Sequence, residues 1–236
     1  MSIISLIISI IGLVVSAIGL YCSVELLPWT LLISIPVGAS LLVTVIFTYI
    51  KYLRSKARKY AAVSIGLEWI RLLFEERDQH RVRVSYFEIK HSMMKNVVRV
   101  PFGTEMTKET FAKGEGFAGA CWKEYRQSGQ RVLIVSDLPI ALDNQEELLE
   151  MYHSYNAYID EDKALRFKSD LRSYLIIALV KANLDRDVMG FVCLDSNAPY
   201  EFEAPEEASP EEHDSLNSKL TNVFAIVDII SRALYT

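Results

Sequence analysis

The first fifty residues of this chain carry a single acidic or basic side chain, Glu25. Residues 3–22 form an uncharged run that, as a helix, spans about 30 Å, the thickness of a bilayer hydrocarbon core. A second apolar run, 26–50, follows after the short polar break Ser23, Val24, Glu25. Two such segments joined so tightly form an antiparallel transmembrane hairpin. The cluster Lys51, Arg54, Lys56, Arg58 and Lys59 comes immediately after it. Under the positive-inside rule this places both termini in the cytoplasm, as in a two-pass inner-membrane protein. A cleaved signal peptide fits less well, because no Lys or Arg precedes the run and the run is too long for an h-region. A lipoprotein anchor at Cys22 is disfavoured by the bulky Tyr21 before it.

Small residues mark one stripe of the first helix: Ser2, Ser5, Ser9, Gly12, Ser16 and Gly19 recur at spacings of three and four. In lipid, apolar bulk gives no preference between neighbours, so close backbone approach through small residues drives helix association. Ser5, Ser9, Gly12, Ser16 and Gly19 are therefore expected to pack helices, either within the hairpin or along an oligomer seam. Thr30, Ser34 and Gly38 make a less regular set on the second helix, with Pro36 as a kink position.

Beyond the membrane segment the chain is acidic. With −5 overall and +4 in residues 1–59, residues 60–236 carry −9. A body of that charge lacks the basic face that nucleic-acid binding needs. Three scattered cysteines, Cys22, Cys121 and Cys193, read as free thiols in a reducing compartment. Neither they nor the four histidines have metal-ligand spacing, so no metal or cofactor is expected.

The division expected is a hairpin over 1–50, a basic juxtamembrane and connecting helix over 51–76, and one sensor domain over 77–236. Leu53, Ala57, Tyr60, Val63, Leu67, Ile70 and Phe74 line one helical face. That helix either transmits motion from the membrane or is simply the first helix of the domain, lying on its sheet. Strands are expected over 82–87, 97–102, 131–135, 172–180 and 188–195, the last two joined as a hairpin through 183–187. Ser209, Pro210, Glu211 and Glu212 spell a capping box with proline at the first helical position. The stripe Leu216, Leu220, Val223, Val227, Ile230 and Leu234 then buries one face of a final helix. The fold class is α+β: an antiparallel sheet flanked by helices, preceded by the transmembrane hairpin.

Four segments in this order resemble the GAF family of small-molecule sensors, whose sheet is profilin-like. They are Gly114-Glu115-Gly116-Phe117-Ala118-Gly119 with Trp122 and Gly129; Arg131 to Asp137; Arg172 to Leu179, with Ala178 where a proline is usual; and Val188 to Ser196 with Tyr200 and Phe202. The glycine run follows no βαβ unit, so a dinucleotide site is not implied. Several family functions lack their residues here. The Asn-Lys pair of cyclic-nucleotide binders is absent, and Cys121 precedes Trp122 where bilin carriers have histidine. Ala118 stands where free-methionine-sulfoxide reductases place a cysteine. Sulfoxide reduction needs a thiolate nucleophile, so no enzyme activity is expected.

The resemblance implies a pocket on the sheet face opposite the terminal helices, roofed by residues 143–169. Tyr152 and Tyr155 on the roof helix either stack a planar ligand such as a purine or close the core. Arg172 at a strand start either pairs with an anion or is solvated, and Asp137 either lines the rim or caps a turn. Tyr152, Arg172, Asp137 and Tyr155 are thus the candidate ligand residues. The function implied is a membrane-anchored cytoplasmic sensor in which a small-molecule ligand, with nucleotides as one candidate, acts on the hairpin or on a partner. A homo-oligomer perturbing the bilayer is one form this takes. The alternatives are a ligand-free GAF-like dimerisation protein and, more remotely, a thiol redox enzyme using Cys121. The chain ends just after the last helix, which leaves the membrane segment or a separate partner as the expected output. Reporter fusions at residue 1 and residue 236 are expected to give cytoplasmic signals at both ends; an external signal at Thr236 would remove the sensor reading altogether.

Overall fold

The computed structural model describes residues 12, 14, 18, 27–74, 82–100, 110–138, 145–158, 171–180 and 188–235. The chain divides into two compact units, Met1–Arg58 and Lys59–Thr236. A helix, α1 (Leu27–Leu72), is unbroken through Pro36. In the first unit its described apolar side chains are exposed apart from the half-buried Val45, Phe47 to 71%. Thr44 and Thr48 donate their hydroxyls to the carbonyls four residues back, both at 2.8 Å. Among the described residues no helix is long and apolar enough to cross a membrane. The side chains of 27–37 lie outside the described set, and 38–50 alone reach about 20 Å at the helical rise. The first arm of the expected hairpin falls, apart from residues 12, 14 and 18, outside the described residues. So do Ser5, Ser9, Ser16 and Gly19 of the small-residue stripe. A Cβ added at Gly12 would meet no atom within 4 Å.

The second unit is built on one six-stranded antiparallel sheet. Its strands are β1 (Val82–Lys90), β2 (Met93–Val100), β3 (Thr110–Ala112), β4 (Val132–Val135), β5 (Ser173–Val180) and β6 (Val188–Ser196), in the order β3-β2-β1-β6-β5-β4. The expected antiparallel sheet with helices is what folds. Its second strand begins earlier than the pattern suggested, at Met93, after a two-residue turn in which His91 and Ser92 take positive φ. The short β3 had no sequence signal of its own.

Two helices cover one face of the sheet. The stripe of α1 buries Val63, Leu67, Ile70 and, just past the helix end, Phe74. It shares a core with Val223, Val227, Ile230 and Leu234 of α4 (Pro210–Tyr235) and with Val84, Tyr86, Leu175, Val192 and Leu194 of the sheet. Within this unit, then, α1 from Tyr60 onward is the first helix of the domain, lying on its sheet. The capping box forms as written: Glu212 N–H donates to Ser209 Oγ at 3.3 Å and Ser209 N–H donates to Glu212 Oε2 at 2.9 Å.

The opposite face is covered by α2 (Gly116–Ser128) and α3 (Gln145–Ser154). The glycine run makes the turn into α2. Gly114 and Gly116 take φ of 87° and 62°, and Gly129 closes the helix at φ 81° with its N–H on the Tyr125 carbonyl. The same turn holds the chain just after α3 (Gln145–Ser154), since Gly116 N–H donates to Tyr158 O at 2.7 Å and Tyr158 N–H to Gly114 O at 2.8 Å.

Close approach dictates two further glycines. A Cβ on Gly119 would lie 2.6 Å from the Ala112 carbonyl oxygen, and one on Gly190 would strike the Phe87 carbonyl and come 2.9 Å from the Tyr86 ring. At Gly129 there is open space, and only the left-handed φ opposes a side chain. In thermal unfolding of the 59–236 fragment, Gly119→Ala and Gly190→Ala are expected to lose upwards of ~2 kcal/mol. Gly129→Ala should lose only ~1 kcal/mol. Equal losses at all three would mean the close approaches do not constrain the backbone.

Candidate functional site

The face beneath α2 and α3 is mostly apolar. Phe87, Met94, Phe111, Phe117, Trp122, Tyr152, Ile176, Phe191 and Cys193 pack there. Antiparallel register fixes which side chains share it, because directly opposed residues point the same way. Phe87 faces Asn96 on β2 and Phe191 on β6; Ser85 faces Arg99 and Cys193; Arg83 faces Asp195, which in turn faces Tyr174. A polar group therefore crosses an otherwise hydrophobic surface: Arg83 and Ser85 on β1, Asn96 and Arg99 on β2, Asp195 on β6 and Tyr174 on β5.

Four of these groups are bound in two pairs. Arg83 Nε donates to Asp195 Oδ1 at 2.7 Å, with side chains only 15% and 9% exposed. Arg99 Nε donates to Ser85 Oγ at 3.1 Å, and Ser85 is fully enclosed. Tyr174 is half-buried as a residue, yet burial of its hydroxyl holds its pKa well above the ordinary range. The neighbouring Tyr152 and Asp195 push it further up, and Arg83 pulls it back.

Asn96 and Arg99 are three positions apart, and in a regular strand they would point to opposite faces. A bulge reverses that. Tyr86 pairs with Val98 and Phe87 with Asn96, so Val97 has no opposite number and the alternation shifts by one. Bulges of this kind re-aim side chains, and here the effect is to bring both residues to the face under the roof helices.

The sequence-derived candidates gather at the β4–β5 end of the same face. Tyr152 is buried and its ring stacks on Phe117 at 4.1 Å and 12°. Tyr155 meets Phe117 edge-on at 5.7 Å, and Phe117 packs on Tyr174 at 5.2 Å. Burial, then the Glu203 carboxylate, raises the Tyr155 pKa. Arg172 Nη2 donates to Asp137 Oδ1, so these two residues pair with each other. The Arg172 Nε is buried with no hydrogen-bond partner.

Arg83, Ser85, Asn96, Arg99 and Asp195 were absent from the sequence-derived set. The available signal was the placement of Arg83 and Ser85 with Phe87 on one face of a strand, polar groups where a core was expected. An open groove between the 198–209 loop and the start of α4, lined by Phe74, Leu216 and Lys219 among others, carries mainly exposed acidic groups such as Glu207 and Glu211. No three potential metal ligands gather among the described residues. Cys121 is enclosed, and burial, with a smaller push from Glu124, raises its thiol pKa to about 12. Burial also raises Cys193 well above its ordinary value.

No family model and no curated protein matches the chain. Several solved structures are similar. A free methionine-R-sulfoxide reductase of Thermoplasma acidophilum is 14% identical, covering 75% of this chain and 93% of its own at a TM-score of 0.43. The substrate complex of fRMsr of Staphylococcus aureus is 16% identical, with coverage of 76% and 95% at 0.41. The PixJ GAF domain of Thermosynechococcus elongatus in its blue-light-absorbing form is 14% identical, with coverage of 76% and 89% at 0.41.

The folded Cys121 thiol keeps its proton to about pH 12, whereas an unfolded one releases it near its ordinary 9.0. Between those values the native state binds more protons, so stability falls as pH rises through the window. The unfolding free energy of the 59–236 fragment, read from urea titrations, is expected to drop between pH 9 and 11, by up to ~1.4 kcal/mol per pH unit from this group. Cys121→Ala should flatten the slope; an unchanged slope would place the titration elsewhere.

Proposed function

We propose that this chain is a membrane-anchored sensor whose GAF-like domain binds a small molecule on the sheet face beneath α2 and α3. The observation that carries this reading is the buried polar group on that face. Burying charge is costly, and a core that served packing alone would be better filled with apolar side chains. Arg83, Arg99 and Asp195 come from three different strands and share the face beneath the roof helices, with Tyr174 of the aromatic cluster directly opposite Asp195. Hydrophobic walls with a few convergent polar groups are the usual make-up of a ligand site. Tyr152, Tyr155, Arg172 and Asp137 belong to the same reading, at the β4–β5 end.

Anchoring in the cell membrane, with both termini cytoplasmic, is the second part of the proposal. Residues 27–50 contain no acidic or basic side chain and lie in one continuous helix. The exposed Leu42, Val43 and Phe47 and the self-satisfied Thr44 and Thr48 hydroxyls suit a lipid surrounding. The basic cluster after Ile50 supplies the orientation. An oligomer is supported by the outward apolar side chains Ile65 and Trp69 of α1 and Ile229 of α4, all more than half exposed. This observation also favours the ligand-free interaction protein as a second reading.

Binding is preferred to thiol catalysis. A thiol with a pKa of about 12 is almost wholly protonated at neutral pH, and Cys121 is closed off from solvent.

The full chain purified from membranes should release a small molecule on heat denaturation, detected by mass spectrometry, and Asp195→Asn should release less. A chain that carbonate strips from membranes would overturn the anchoring. Wild type that releases nothing, and is stabilised by none of a broad metabolite panel, would leave the interaction protein.

A further inference from the structure

Asn96 is 7% exposed, and both its Nδ2 and its Oδ1 are buried with no hydrogen-bond partner. Nearly all buried polar atoms in folded proteins are satisfied, and a carboxamide missing both its donor and its acceptor bonds calls for a reason. Packing does not supply one. A leucine of similar size would fill the position at no such cost, and the adjacent Met94 and the opposed Phe87 are both core residues. The strand also carries the bulge at Val97, which sets Asn96 and Arg99 on one face. Two departures from an ordinary strand thus converge on one point of the candidate site.

A free carboxamide offers an N–H donor and a carbonyl acceptor side by side in one plane. Its complement is a group with an acceptor and a donor side by side, such as a lactam or an amidine edge. The surroundings restrict the ligand further. Phe87 lies directly opposite Asn96, and the Phe111 ring meets Phe87 edge-on at 5.8 Å, an aromatic wall suited to a flat ring. We propose that the Asn96 carboxamide reads the edge of a planar lactam- or amidine-bearing heterocycle seated on this sheet face. This deepens the sensor reading and rests on it. Arg99, held through Ser85, stands on the same sheet face just beyond the bulge.

In the ligand-free protein the unpaired carboxamide is a cost, and the ligand removes it. Replacing Asn96 should therefore separate stability from binding. The full chain in detergent would be titrated by calorimetry with guanosine and uridine, which carry lactam edges, with adenosine, which carries an amidine edge, and with indole, which is flat but lacks the paired donor and acceptor. At least one nucleoside is expected to bind the wild type. Asn96→Leu should weaken that nucleoside about tenfold or more, leave any indole binding unchanged, and raise the ligand-free Tm by a few degrees. Asn96→Ala decides the affinity arm should the leucine variant fold poorly. The inference is overturned if no nucleoside binds, if both variants keep wild-type affinity, or if indole binds as well as the nucleosides. It also falls if Asn96→Leu lowers the Tm, which would mark the carboxamide as anchored to a structural water. A small molecule released from the wild-type chain alongside any of these outcomes would leave the sensor reading standing without Asn96.

Discussion

The central strands β1, β6 and β5 are buried on both faces, and the rest of the domain depends on that constraint. In β5 and β6 nearly every residue is enclosed. Such strands have no water-facing side on which to place a polar group, so any that occur must find partners inside the protein. Arg83 finds Asp195 across the strand pair, and Arg99 finds Ser85. The same enclosure explains Gly190, where strand and ring approach too closely for a side chain. It also explains the raised thiols of Cys121 and Cys193, which share the core beneath the roof helices.

The two faces do different work. The face under α1 and α4 is an apolar contact between sheet and helices, closed by the Phe74–Phe202 ring pair at 5.4 Å. The other face combines an aromatic cluster at the β4–β5 end with ionic and amide groups toward β1 and β2. Tyr174 joins them, since its ring packs on Phe117 while its strand partner is Asp195. The glycine turn before α2 ties this roof together, because its backbone bonds to Tyr158 hold the chain that follows α3. A ligand that altered the polar group would therefore act on strands that also carry the terminal helices on their reverse side.

Much of the fold was legible in residue order because it follows local rules. The Ser209–Glu212 box, the Gly129 stop, the α4 stripe and the β5 and β6 runs each encode their element within a few residues, and each formed. The α1 stripe was legible as a face, and contact with the sheet showed what the face was for. The start of β2 was misplaced because Met93, Lys95 and Asn96 do not alternate like a strand; pairing with β1 makes them one. The short β3 exists only because β2 offers it an edge.

Sequence by itself determined the uncharged run of 26–50, the acidic body beyond the basic cluster, and the alternation of helices and strands. These depend on the composition and periodicity of neighbouring residues. It also supplied Arg172 and Asp137 as candidates, though not that they pair with each other across β4 and β5. Only the tertiary structure decided the polar group on the inner face, because Arg83 and Asp195 are 112 positions apart and register alone brings them opposite. It decided Asn96 as well. One unpaired residue, Val97, shifts the side-chain alternation, and a bulge is a property of two strands together that neither strand's sequence contains.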